Sequence, residues 1–296
     1  MNQRRVSLLA AGALVINAFL WGVSWWPFRE LQGYGLHPLW ATALVYFVVF
    51  TGLLIFYRGS LKGFLAHPPL WLLALAAGMT NVGFNWAVTV GDVVRVVLLF
   101  YLMPAWSVLV AWALLGEKPT AASLLRLVIA MAGVLIVLQA PDASWPVPQG
   151  LPDWLALMGG FSFALTNVML SKLSHTPTGS RMLAMFAGGA AMAAGAALVG
   201  MAQHAVPAPE LKGMAPLLVI GLSMAFLISN AALQYGAARL AATTTALVML
   251  TEILFASGSA ALLGAAAFTP RIWLGGSLIV LAALMAALSP AADKKH

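Results

Sequence analysis

Polar side chains recur one helical turn apart inside long apolar runs, where an unpartnered amide or carboxyl is costly. Asn81, Asn85 and Thr89 follow one another at i, i+4 spacing, as do Phe226, Asn230 and Gln234. Asn17, Trp21 and Trp25 fall on one helical face, and Phe163 and Asn167 on another. In hydrocarbon such groups face a bundle interior or a wet cavity. Each stripe is therefore either interhelical hydrogen-bond glue or the lining of a binding cavity. Two stripes at similar depth on two different helices are what one shared central cavity would display. Glu252 is the one acid deep inside an apolar run, with Thr243, Thr244, Thr245 and Thr251 beside it; it could be a proton site, a counter-ion for an amine or a structural carboxyl. Pro104 sits within another run and should kink it near Tyr101 and Met103. The carbonyls so freed could bind an ammonium group, or the kink could serve packing.

Catalytic chemistry finds little support. There is no cysteine, which removes thiolate nucleophiles, disulfides and Cys-based metal or iron-sulfur sites together. His37, His67, His175, His204 and His296 all fall outside the apolar runs, so no Ser-His pair or His-metal site forms within one. No acidic cluster of the kind that holds Mg²⁺ and a pyrophosphate is present, so an intramembrane enzyme is the weak alternative and no cofactor is expected. A channel would want a repeated selectivity element or a ring of charge, and none is seen. Without a second intramembrane acid or a central arginine, a proton-coupled relay is poorly supported, and facilitated diffusion down a gradient is the simpler reading.

The elements that must position these residues follow from composition. Of 296 residues, 62% are hydrophobic and 8% charged, against about 45–50% and about 25% in a soluble domain; mean hydropathy is +0.95. The bilayer is the solvent. A spanning helix needs about 20 apolar residues, and ten runs meet this: 7–28, 38–57, 69–90, 93–115, 121–140, 152–172, 179–201, 214–235, 240–263 and 271–288. The first is too long, too rich in tryptophan and too poor in small-residue cleavage signals for a leader peptide, so it is expected to be a retained helix. Trp25, Trp26 and Trp40, near run ends, suit interface anchoring, whereas Trp21 and Trp86 lie deeper and either line a cavity or pack. The hydrophilic segments are short, so function must reside in the bundle.

Net charge is +7, but no Lys/Arg stripe marks a nucleic-acid face. The charge is an orientation signal instead. With the N-terminus inside, Arg4, Arg5, Arg58, Lys62, Lys118, Arg126, Lys172, Arg181, Arg239, Lys294 and Lys295 fall on the cytoplasmic side, and Arg29, Arg95, Lys212 and Arg271 outside. That is 11 of the 15 basic residues against 4, and the positive-inside rule selects both termini cytoplasmic.

The ten runs divide at a Pro- and Asp-rich linker, 141–150, into 1–140 and 151–290, with a tail at 291–296. Five helices per half is an odd number, so a duplicated second half must enter the membrane in the opposite sense. Asn85 to Gly91 aligns on Asn230 to Gly236, placing Asn on Asn and Gly on Gly, and Leu114-Leu115-Gly116 matches Leu262-Leu263-Gly264. The expectation is an all-α membrane protein of ten transmembrane helices arranged as two inverted five-helix repeats, its cavity near the midplane. Pro104 and the tight joints at Gly91 and Gly236 are its candidate hinges. Small-residue runs such as 188–200 and the tenth helix provide close-packing surfaces that could also form a homodimer.

The stretch 84–137, FNWAVTVGDVVRVVLLFYLMPAWSVLVAWALLGEKPTAASLLRLVIAMAGVLIV, resembles the third to fifth helices of an EamA repeat of the drug/metabolite transporter superfamily. It shares the tight turn at Gly91, the Pro104 break, the LLGE at 114–117 and Gly133; Trp21-Gly22 resembles the family's first-helix signature. The YLMPAWS stretch at 101–107 and the tryptophan-rich first half extend the resemblance to YddG-type aromatic amino acid exporters. It implies a bacterial inner-membrane exporter of phenylalanine, tyrosine and tryptophan, and of other neutral amino acids, or else of another small metabolite or cationic drug. The candidate binding residues, read from the polar stripes, the deep aromatics and the Pro104 region, are Asn17, Trp21, Asn81, Asn85, Trp86, Tyr101, Met103, Phe163, Asn167, Asn230, Gln234 and Glu252. Aromatic rings among them would hold a side chain while amides satisfy its amino and carboxylate groups. The second half departs from the pattern: the ninth helix lacks the proline, and the closing Gly-Glu reads Gly264-Ala265.

Overall fold

The computed structural model describes residues 3–57, 59–91, 93–138, 148–264 and 270–288. Arg58, Asp92, Ala265, most of the linker and the C-terminal tail fall outside these, as do the side chains of Arg4, Thr89 and Arg95. Every regular element among the described residues is a helix, as a chain solvated by lipid requires, because a helix satisfies its backbone hydrogen bonds internally. Nine helical segments are long and apolar enough to cross a bilayer, or ten when a pair bent by 103° is counted as one span.

The first span consists of α1 (Gln3–Val23) and α2 (Trp25–Gly33). They part at Ser24, whose hydroxyl donates to the Trp21 carbonyl at 2.7 Å and draws it away from the helical ladder. His37 caps α3 (Pro38–Phe56), its Nδ1 accepting from the Leu39 amide at 3.2 Å. Burial lowers the imidazole's pKa and so keeps that nitrogen free to accept. The bent pair is α4 (Gly59–Ala66) and α5 (Pro69–Val90). The fourth span is broken into α6 (Val93–Phe100) and α7 (Met103–Leu115); α8 (Ala121–Leu138) completes the first half. The second half holds α9 (Leu151–Lys172), α10 (Thr178–Ala202), α11 (Ala215–Ala237), α12 (Ala242–Met249), α13 (Glu252–Leu262) and α14 (Pro270–Ala287). Both α7 and α13 end before a glycine in the left-handed region, Gly116 and Gly264, each at φ 70, where an L side chain would be strained.

The fourth span is interrupted near Tyr101 and Met103, where the sequence put the kink, as a break between two helices: Pro104 occupies the first turn of α7, where its missing N–H is one the helix would leave unpaired anyway. The interruption itself lies at Tyr101 and Leu102.

Between helices, small residues allow backbones to touch. The Gly188 backbone of α10 lies against the Ala74 carbonyl of α5, and in the α8–α14 pair a Cβ on Gly133 would come 2.6 Å from the Gly275 carbonyl. Outward-facing Phe47, Ile55, Val128, Leu217, Ile220 and Leu284 remain exposed and form the surface that lipid covers.

Candidate functional site

Helices from both halves enclose a central cavity. About 80 Å³ of it is open to the centre of a water molecule, which for a rounded space means roughly 8 Å across, the breadth of one amino acid. Two aromatic walls bound it. On one side Phe226 stacks on Trp21, with ring centroids 4.5 Å apart and planes at 25°, and meets Tyr46 edge-on at 6.0 Å; Tyr46 in turn touches Phe186 at 5.0 Å. On the other, Phe100 meets Phe84 at 4.9 Å, Tyr101 at 5.8 Å and Phe163 at 6.0 Å. Such offset and edge contacts are favoured by the ring quadrupole, and they leave ring faces and edges for a ligand.

Polar groups sit between the walls, held by short bonds. Asn17 Nδ2 donates to both the carbonyl (2.8 Å) and the hydroxyl (2.6 Å) of Ser229, tying α1 to α11. The Tyr46 hydroxyl donates to Asn81 Oδ1 at 3.1 Å, while Asn81 Nδ2 donates to the Ala77 carbonyl at 2.8 Å. Asn85 Nδ2 donates to Thr42 Oγ1 at 2.6 Å. Asn230 receives a bond from Gln234 Nε2 at 3.1 Å. The Tyr101 hydroxyl donates to the Glu252 carboxyl, joining the break of the fourth span to the break of the ninth. Among the described residues Glu252 is the one carboxylate on the cavity wall, and no lysine or arginine among them lines it. The wall therefore suits an ammonium group beside an apolar or aromatic body.

Of the residues marked in the sequence, Asn17, Trp21, Asn81, Asn85, Tyr101, Phe163, Asn230 and Glu252 line the cavity. Four stand off it. Trp86 follows Asn85 by one residue, about 100° around the helix, and packs instead on a separate cluster of Leu39, Val82, Ala196, Ala197 and Val206. Met103 begins α7 and is buried in the main core. Asn167 is fully buried in α9, with neither amide atom partnered among the described residues. Gln234 lies one turn beyond Asn230 and lines a second pocket. As for the joints, Gly91 follows α5 against Pro152, and Gly236 is the penultimate residue of α11, packed on Leu14 and Ala10 of α1, its carbonyl accepting from the Arg239 and Leu240 amides of the turn to α12. Tyr46, Thr80, Phe84, Phe100, Thr166, Phe186 and Met249 line the cavity without having been marked. Phe226 had been, but only as the apolar member of a polar stripe. The signal for Phe84 was available: it precedes Asn85 and follows Asn81 by three, on the same face.

A crystal structure 19% identical in sequence superposes with a TM-score of 0.77, covering 94% of this chain and 96% of its own; 28 chains of solved structures match altogether. That likeness shows the fold. No curated protein sequence matches. The profile described as the EamA-like transporter family matches residues 8–139, which take in the wall residues Asn17, Trp21, Tyr46, Asn81, Asn85, Phe100 and Tyr101. Over residues 8–139, which is less than half of its length, the chain is similar to the EamA-like transporter family.

Proposed function

We propose that this protein is a membrane transporter of the EamA type that exports amino acids, aromatic ones foremost, through the central cavity by alternating access. The observation that carries the reading is the pairing of two aromatic walls with one carboxylate and a set of amides in a space the breadth of a single amino acid. The ring of phenylalanine, tyrosine or tryptophan would lie between the Phe226 and Phe100 groups, and its ammonium would meet Glu252. Alternating access is supported by parallel features of the two halves: a broken fourth and a broken ninth span, each ending at a left-handed glycine. We read them as two inverted repeats, 1–140 and 151–290, with both termini in the cytoplasm.

Counterflow tests this. Proteoliposomes preloaded with unlabelled amino acids should accumulate labelled phenylalanine, with tryptophan and tyrosine the best drivers, and Asn81→Ala should raise the half-saturating concentration by about tenfold, the worth of one charge-assisted bond. Silence across the amino acid panel would remove the amino acid assignment and leave the transporter.

A second reading, export of an organic cation, is favoured by one observation: among the described residues the wall carries a carboxylate and many ring faces but no cationic side chain, the surroundings in which cation–π attraction is strongest. Competition by phenethylamine equal to that by phenylalanine would select it.

A further inference from the structure

A second pocket lies between α10 and α11, lined by Thr178, Arg181, Ala231, Gln234, Tyr235 and Arg239. Its base is unusual for a bundle in lipid. Arg181, in the first turns of α10, is only 3% exposed, yet its partners are all neutral. Nε donates to Gln234 Oε1 at 2.8 Å, Nη1 to the Leu173 carbonyl at 2.7 Å and Nη2 to Thr178 Oγ1 at 3.1 Å. Three of the five guanidinium donors are thus fixed and two remain. The charge has no carboxylate against it among the described residues; the nearest charge that acts on it is another cation, Arg239. A buried arginine is normally retained by pairing, and here the near end of the α10 macrodipole adds to the positive potential.

The rest of the pocket completes an anion receptor. Arg239 is exposed at the mouth, its guanidinium 3.8 Å from the centroid of the Tyr235 ring and its Nη1 bonded to the Tyr235 carbonyl at 3.0 Å. The pocket is also wired to the central cavity. Gln234, which accepts from Arg181, donates to Asn230, and Asn230 lies on the cavity wall. Among the described residues the cavity has a carboxylate for an ammonium but no cation for a carboxylate. The pocket has the cations and, among the described residues, no acid.

We propose that this pocket is a second binding site, which takes the carboxylate of the transported molecule between Arg181 and Arg239 and passes it along Gln234 and Asn230 into the central cavity. It rests on the amino acid reading for the identity of its ligand. Arg239 captures the anion at the surface, and the two free donors of Arg181 hold it in the bidentate manner that guanidinium offers a carboxylate.

Binding to the purified full-length protein in a neutral detergent tests the site apart from transport. The probes are 3-phenylpropionate, which has the carboxylate without the amine, and phenethylamine, which has the amine without the carboxylate, each titrated by its thermal stabilisation of the protein. Arg181→Gln should raise the half-saturating phenylpropionate concentration at least tenfold, Arg239→Gln about threefold, and neither should move phenethylamine. Arg181→Lys should restore part of the affinity, which a merely structural arginine would not do. Should Arg181→Gln fail to fold, Arg239→Gln, at an exposed position, carries the test by itself. Phenylpropionate that does not bind the wild type, or binds both glutamine variants equally well, overturns the proposal. So does an Arg181-dependent stabilisation by phosphatidylglycerol vesicles with none by phenylpropionate, which would make this a lipid headgroup site. Failure of the amino acid reading shows elsewhere, as absent amino acid counterflow with phenylpropionate binding intact.

Discussion

The two broken spans reach the same shape by different chemistry. In the fourth, α6 stops at Phe100 and α7 starts at Met103, with Pro104 supplying a turn that needs no amide donor. In the ninth, α12 stops at Met249 and α13 starts at Glu252 with no proline at all. There the Thr251 hydroxyl donates to the Val248 carbonyl at 2.8 Å, alongside the Thr251 amide at 3.1 Å, so one carbonyl is held in a tight turn rather than in the helical ladder. Each break is also buttressed by a glycine of another span. Gly160 of α9 lies on the Phe100 carbonyl, and Gly22 of α1 lies on the Glu252 carbonyl, where a Cβ would come within 2.7 Å. What matters at both places is a backbone that leaves the helix beside the cavity; proline is one route to it and a threonine is another.

The buttresses offer the largest way to break the comparison. Gly160→Ala should cost about 3 kcal/mol and Gly22→Ala about 2 kcal/mol, because overpacking against backbone cannot be relieved by a side-chain rotation. Denaturant unfolding in detergent would measure both, and neutral values at both sites would mean that the breaks are not held backbone to backbone.

Next in size is the bond that joins the two breaks, from the Tyr101 hydroxyl to the Glu252 carboxyl. Tyr101→Phe leaves that carboxyl without its donor and should lose about 1–2 kcal/mol. Glu252→Gln keeps an acceptor in place and should lose less. A double-mutant cycle should return a coupling of about 1 kcal/mol; zero coupling would separate the breaks energetically. Counterflow sharpens the point: Glu252→Gln should abolish most exchange while leaving the fold, and Tyr101→Phe should only weaken it.

The spans were legible because lipid imposes length and apolarity on every helix, and the Asn81–Asn85 stripe because a polar group in such a run has few places to go. The aromatic walls were not. In a helix apolar all round, a ring facing a cavity, a ring facing lipid and a ring facing a neighbour look alike, so Trp86 was expected on the wall while Phe100, Tyr46 and Phe186 were passed over. Arg181 shows the same limit for charge: beside a helix end it reads as a solvated flanking residue, and only the neighbouring Gln234 and Thr178, brought from across the fold and from its own first turn, explain its burial. The break at Thr251 had a signal, a threonine beside the lone acid, but it is far weaker than a proline.

The smallest effects come from the break residues themselves and decide which route is the stronger. Thr251→Val removes the hydroxyl that holds the Val248 carbonyl and should cost about 1 kcal/mol. Pro104→Ala adds an amide in the first turn, where no helical acceptor awaits it, and should change stability by less than about 1 kcal/mol, chiefly through greater freedom of the unfolded chain. Amide exchange at Tyr101 and Leu102 against Leu250 and Thr251 reads the outcome directly. If Pro104→Ala slows exchange at the fourth-span break, the proline creates the break and the helix closes without it. Unchanged exchange there, with faster exchange after Thr251→Val, would mean that the fourth-span break is enforced by the packing of α9 on Phe100 and the ninth-span break by its own side chain.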